Sequence, residues 1–184
     1  LFVRQNILVK IRLKASKLQQ LVSPQTAVQC NTATIRGMFG AIQEKIETKE
    51  DSISIYELSS LEMEQLLGEY VVDYCLCNYD SHGRNFLLPK YGPSCIKGID
   101  KEQSFRYIDE PNSESITLNN NYNEQYGEDP PIYAQLFERM VWEHRDILKL
   151  IEPYIERLAQ IPDEQYRLMF KQYAQAKSPQ GYEL

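Results

Sequence analysis

One helix constrains this chain more than any other feature. Ser59-x-x-Glu62 is a capping box. The Ser hydroxyl can accept from the backbone three residues on, while the Glu carboxylate reaches back to the cap's own N–H. Leu67, Val71 and Cys75 then form one i, i+4 row, and Leu66, Tyr70 and Tyr74 form the adjacent row, so the pattern predicts a helix over 61–77. A polar loop, 78–85, ends it. The apolar run Phe86-Leu87-Leu88 follows, a turn over 89–93 is bounded by two prolines, and 94–99 reads as a second strand. Helix, polar loop and hairpin form one unit near the middle of the chain.

The flanks are less sharply patterned. Residues 1–13 alternate loosely between apolar and polar, which suits a strand; a helix running to Leu21 suits the same stretch. Ser23-Pro24 ends either one. Residues 26–46 read as two strands, 26–30 and 34–46, with Gly37 and Gly40 inside the second, and 49–54 is a polar connector. Residues 106–131 are polar and irregular, with Asn119-Asn120-Asn121 and Glu128-Asp129-Pro130-Pro131, and a loop this long inside a compact domain points to function or mobility. Helical stretches follow at 132–151, 154–161 and 163–176; Pro131 opens the first, and Asp163 caps the last. Phe137, Met140 and Trp142 read as core, His144 as an exposed residue, and 177–184 as a frayed tail. The order defines an α+β chain whose second part is mostly helical.

Composition excludes several classes. At 184 residues, 42% hydrophobic and 25% charged, the chain can bury a core. It contains no run of about 18 or more apolar residues, so no transmembrane helix is expected. The first residues lack the apolar core and small-residue cleavage site of a secretory signal. They also lack an initiator Met, which suggests a fragment. Cys30, Cys75, Cys77 and Cys95 include no C-x-x-C pair, which argues against zinc and a disulfide framework and for a reducing, cytoplasmic setting. The net charge of −6 is uneven: the first 43 residues hold six basic side chains and no acidic one, and the remainder holds 14 basic and 26 acidic. That asymmetry suits phosphate binding, or equally two solvated faces of one domain. Nucleic-acid binding is not supported, because the whole is acidic and no aromatic-basic interleaving stands out.

The polar loop carries the chemistry. Phosphoryl transfer needs a group that orients or deprotonates the attacking hydroxyl, and oxygen ligands that hold magnesium on the ATP phosphates. Kinases place a base Asp on a loop, an Asn five positions later, and a second metal-binding Asp past a hairpin. Here Asp80 is followed five positions later by Asn85, and Asp100 ends the hairpin fifteen positions beyond Asn85. His82 lies two positions after Asp80, where a side chain could reach the transferring phosphate. One carboxylate and one amide oxygen suit magnesium, which keeps several waters. The same residues also suit a different metal-dependent phosphoester enzyme, or an ordinary polar turn.

The string Cys77-Asn78-Tyr79-Asp80-Ser81-His82-Gly83-Arg84-Asn85-Phe86-Leu87-Leu88 resembles the catalytic loop of the phosphatidylinositol 3-/4-kinase-like superfamily, which HipA-like protein kinases and actin-fragmin kinase share. The family pattern is D-x-H-x-x-N, often with Arg after the Asp, where this chain has Ser81. Gly98-Ile99-Asp100-Lys101-Glu102-Gln103-Ser104-Phe105 is similar to the family's metal-binding segment. The resemblance covers 61–105. It implies a protein-kinase-like fold, mostly the helical C-lobe with a reduced or partial N-lobe, and an ATP- and magnesium-dependent enzyme. Asp80 would be the base, His82 a phosphate contact, and Asn85 and Asp100 the metal ligands. Residues 1–48 would be a partial N-lobe and hinge made of strands. Residues 49–184 would be the C-lobe, with catalytic loop 78–88, metal segment 98–105 and activation-type loop 106–131.

The resemblance also marks what is missing. No glycine-rich cover and no Lys–Glu pair is evident in the smaller lobe. Lys10 is the best stand-in for the ATP lysine, and Gln43, Glu44 and Ile46 would lie near the adenine. The absent parts lie upstream, or come from another region or partner chain, or mark a non-catalytic kinase. The loop 106–131 has one basic residue, Arg106, and six acidic ones, Asp109, Glu110, Glu114, Glu124, Glu128 and Asp129. Such a loop repels an anionic inositol lipid and attracts a basic polypeptide. The expected acceptor is therefore a Ser or Thr of a basic protein; a phosphoinositide kinase and a pseudokinase scaffold working through the C-terminal helices are the alternatives.

Overall fold

A computed structural model of the chain describes residues 2–78, 80–105 and 132–177. The loop 106–131 and the tail beyond 177 lie outside the described residues. The chain is α+β, with five α-helices and two small antiparallel sheets among the described residues.

Helix α1 runs over Phe2–Val22. The strand reading of 1–13 is therefore wrong and its helical alternative holds, so 1–48 is not a segment made only of strands. Ile11, Ala15, Leu18 and Val22 are fully buried, at spacings of four, three and four. That is the helical period, and it shows only when the window extends well past Leu13.

A hairpin follows, β1 (Cys30–Ile35) and β2 (Met38–Gln43), paired from Cys30 opposite Gln43 to Ile35 opposite Met38. The two-residue turn is Arg36-Gly37, with φ 52° and 78°. Positive φ at both positions matches the twist of a tight hairpin, and Gly adopts it without a Cβ penalty. The break thus falls at Arg36-Gly37 and not at 31–33, as the two-strand reading had it. Thr26 lies before the strand, buried under α2.

Helix α2, Ser60–Cys75, has the capping box: Ser59 Oγ accepts from the Glu62 N–H, and the Glu62 carboxylate accepts from the Ser59 N–H at 2.7 Å. Met63, Leu66, Leu67 and Val72 are completely buried. Tyr70 stacks edge-on against Tyr133 and Phe137, and Tyr74 is exposed. A second face of α2 is also buried, and it is polar: Glu62, Gln65, Glu69 and Asp73. The predicted second hairpin exists as β3 (Phe86–Leu87) and β4 (Lys97–Gly98).

Three helices complete the core: α3 (Ile132–Trp142), α4 (Ile147–Ala159) and α5 (Asp163–Lys177). The expected break between 151 and 154 is absent, and Pro153 sits inside α4. The chain instead reverses at 143–146, where His144 has φ 55° and the Asp146 side chain caps the Lys149 N–H at 3.2 Å. A cap and a left-handed residue together outweigh one proline as a boundary signal. Met140 is fully buried and Phe137 packs against the core, but Trp142 is 79% exposed and is not a core residue. It shares the last turn of α3 with buried Met140 but lies two residues on, about 200° round the helix, on the solvent face. No helix among the described residues is long and apolar enough to cross a membrane. Cys30, Cys75, Cys77 and Cys95 are free thiols.

Candidate functional site

The polar loop is shaped by the end of α2. Cys77 adopts φ 46°, and Asn78 donates its backbone N–H to the Asp73 carbonyl at 2.9 Å. The Asn78 side chain donates to Asp73 Oδ1 at 3.0 Å, and its oxygen faces the Asp80 N–H at 3.4 Å. The Ile132 N–H, at the start of α3, donates to the Ser81 carbonyl at 3.0 Å. The loop is therefore held between two helices. Gly83 is required by close approach, because an added Cβ would meet the Ile53 carbonyl at 2.7 Å.

The candidate site residues meet across this loop. His82 Nε2 lies 3.3 Å from Asp80 Oδ1. Asn85 Nδ2 donates to the Asp80 carbonyl at 2.8 Å. That bond engages the amide nitrogen and does not use Oδ1. The Ile99 N–H donates to the Asn85 carbonyl at 2.9 Å, continuing the β3–β4 ladder, so Asp100 is the residue immediately after the one paired with Asn85. Asp100 sits in the left-handed region, φ 53° and ψ 57°. A non-glycine residue held there is a common mark of a functional turn. Its side chain is 37% exposed, whereas that of Asp80 is 14% exposed.

Asp100 is anchored through its neighbour. Lys101 is buried and turned inward, with Nζ 2.7 Å from Asp73 and 3.0 Å from Glu69, and 5.0 Å from the centre of the Phe86 ring. Burial opposes the Lys101 charge, yet Asp73 and Glu69 overcome it and hold its pKa above the ordinary lysine value. Burial raises the pKa of Asp73, against the pull of Lys101 and with the help of Glu69. The Tyr133 hydroxyl donates to Asp73 at 2.6 Å, and Gln19 of α1 donates to Glu69 at 2.8 Å. Thr26 also donates to Glu69. Gly98 completes the seam: a Cβ there would overlap the Glu69 carboxylate. The polar face of α2 is thus a buried network that fixes the backbone entering Asp100.

Two groups of expected residues lie further out. Lys10 is exposed on α1. The α1 cation that reaches Asp100 is Arg12, with Nη2 3.0 Å from Asp100 Oδ1 and 2.5 Å from Glu102 Oε2. Glu44 and Ile46 line a cavity of about 460 Å³, together with Val28, Pro89, Tyr91 and Lys97. Gln43 is exposed at the end of β2 and does not line it.

Sequence reasoning missed Arg12, Lys101, Glu69 and Asp73. The acid-free first 43 residues were the only signal for Arg12. Glu62, Gln65, Glu69 and Asp73 recur at helical spacing, but such a row reads as a solvated face until the fold covers it. Among the described residues no three His, Cys, Asp or Glu side chains gather as a metal site. Of the two expected magnesium ligands, Asn85 is buried and Asp100 is bridged to Arg12; an amide oxygen and a carboxylate are donor types that magnesium accepts. No family model, curated protein or solved structure matches this chain.

Proposed function

We propose that the chain is the catalytic lobe of an atypical kinase that moves the γ-phosphoryl group of ATP to a Ser or Thr of a basic protein. The observation that carries this reading is the Ile99 to Asn85 hydrogen bond, 2.9 Å, which brings Asp100 beside the Asp80–Asn85 loop. A base, an amide oxygen and a second carboxylate then lie on adjoining segments, in the order phosphoryl transfer requires.

In this reading the acceptor hydroxyl gives its proton to an Asp80 carboxylate oxygen. Its oxygen attacks the γ-phosphorus while the bond from that phosphorus to the β–γ bridging oxygen breaks, and ADP leaves. His82, 3.3 Å from Asp80, orients the carboxylate and faces the transferring group. Magnesium at Asn85 and Asp100 would offset charge on the phosphates. The base of the nucleotide enters the cavity at Glu44 and Ile46. Lys97 lines that cavity and Asp100 lies three residues on, a reach of up to about 10 Å along an extended chain, the scale of a nucleoside triphosphate. The free thiols fit a cytoplasmic setting.

The test is incubation of the protein with γ-labelled ATP and magnesium, with basic protein and phosphoinositide acceptors in parallel. Asp80→Ala should lower transfer by about 10²- to 10⁴-fold and leave nucleotide binding largely intact. Asp100→Ala should lose magnesium-dependent ATP binding. Label on lipid without label on protein would overturn the acceptor.

A second reading is a non-catalytic scaffold. It is favoured by Val141, Trp142 and Leu148, which are 64%, 79% and 81% exposed around the α3–α4 turn. Clustered exposed apolar side chains mark interaction surfaces. Absence of any magnesium-dependent ATP binding by the wild-type protein would select this reading.

A further inference from the structure

Asp100 and Glu102 are bridged by a cation from a distant part of the chain. Arg12 Nη2 contacts Asp100 Oδ1 at 3.0 Å and Glu102 Oε2 at 2.5 Å. The three side chains are 32%, 37% and 25% exposed, so water reaches the pair and screens it. The guanidinium spends one nitrogen on both carboxylates. Its Nε is buried with no hydrogen-bond partner among the described residues. A guanidinium binds a carboxylate best through two parallel bonds, and this one makes none of that kind, so its hold is weak for an arginine.

The two sides of the bridge are unequally fixed. Lys101 is tied to Glu69 and Asp73 inside the core, and the Ser104 carbonyl accepts from the Tyr173 hydroxyl at 3.0 Å. The segment bearing Asp100 is therefore rigid. On α1, Ser16 and Gln19 anchor the later half through the Val28 and Gly98 carbonyls, at 2.8 and 3.0 Å. Arg12 precedes those anchors by at least one helical turn. If the bridge opens, α1 loses its polar tie ahead of Ser16, while Ile11 still holds that part of the helix on the core.

We propose that Arg12 is a resident cation on Asp100 that a divalent metal displaces, with Glu102 keeping the released guanidinium at the site, so that α1 is coupled to metal loading. The inference rests on Asp100 being a metal ligand, as in the proposed function. Two like charges do not share one carboxylate oxygen: the metal takes Asp100, Arg12 retreats to Glu102, and the lost contact loosens α1 around Arg12. Because the pair is half-exposed, the competition is modest, about two- to fivefold in metal affinity.

The experiment is a titration of the whole chain with magnesium alone, read by calorimetry and by hydrogen exchange of the α1 amides. Metal should speed exchange around Arg12 in the unaltered protein, a readout that needs no substitution. Arg12→Gln should bind magnesium about two- to fivefold more tightly, and its α1 amides should exchange faster before metal is added. Metal that leaves α1 exchange unchanged, or an Arg12→Gln protein that binds metal no more tightly, overturns the inference. Asp100→Asn that binds metal as well as the unaltered protein overturns the metal site itself. If neither the unaltered protein nor Arg12→Gln binds magnesium, this inference falls, while the proposed function is decided separately by magnesium-dependent ATP binding.

Discussion

Lys101→Met should be among the most damaging single substitutions in this protein. Lys101 Nζ is the buried cation between Asp73 at 2.7 Å and Glu69 at 3.0 Å, and all three side chains are at most 5% exposed. Methionine fills a similar volume but leaves two carboxylates facing each other without a counter-charge. Removing one partner of a buried pair costs about 3–5 kcal/mol, because the remaining charge stays desolvated. Tyr133, Asn78, Gln19 and Thr26 still donate to the two acids, which favours the lower end. At about 3 kcal/mol, and a urea slope of about 2 kcal/mol/M, the midpoint should fall by about 1.5 M. The loss must also depend on pH. Burial already raises the Asp73 pKa, and removing Lys101 removes the main opposing charge. A carboxyl whose folded pKa lies above its unfolded value binds more protons when folded, so its penalty is absent below the unfolded pKa and grows as pH rises through the folded one. The deficit should therefore be largest at neutral pH and shrink as pH falls towards the carboxylate range. Urea unfolding of both proteins at several pH values is the assay. A midpoint shift under about 0.5 M at pH 7, or a deficit that does not shrink in acid, would refute the buried-triad account.

Three further predictions test neighbouring features. Burial opposes the Glu62 charge, but hydrogen bonds from Ser94 and Ser59 win and hold its pKa below the ordinary value. Its contribution is thus present above the unfolded pKa and lost as pH falls through the folded one; Glu62→Gln should cost about 1 kcal/mol at pH 7 and less in acid melts. Burial, aided by Cys77, pushes the Cys75 thiol up to about 11, so iodoacetamide should label Cys75 slowly at neutral pH and faster only as pH approaches that value. Gly98→Ala places a methyl group on the Glu69 carboxylate and near the Gln19 amide, and denaturant unfolding should show a loss of about 1–3 kcal/mol or more.

Local signals in the sequence were read correctly where the governing contacts are themselves local. The Ser59–Glu62 capping box closes within four residues, and α2 begins where it directs. The hairpin after the loop follows from two prolines and two short apolar runs. Local pattern failed where a longer window or a distant partner decides. Over 1–13 the alternation mimics a strand, and only the row Ile11, Ala15, Leu18 and Val22 reveals α1. Trp142 has the composition of a core residue, yet it falls on the face of the helix opposite buried Met140 and points to solvent. Pro153 has the composition of a boundary, yet His144 and Asp146 end and restart the chain nine and seven residues earlier.

By itself the sequence determined the central helix–loop–hairpin unit and the linear order of Asp80, His82, Asn85 and Asp100, because caps, turns and hydrophobic period act over a few residues. Only the tertiary structure decided that a polar stripe on α2 is buried and holds Lys101, and that Arg12 rests on Asp100 from 88 positions away. Electrostatic energy depends on distance and on exclusion of water, and neither quantity exists along a chain until it folds.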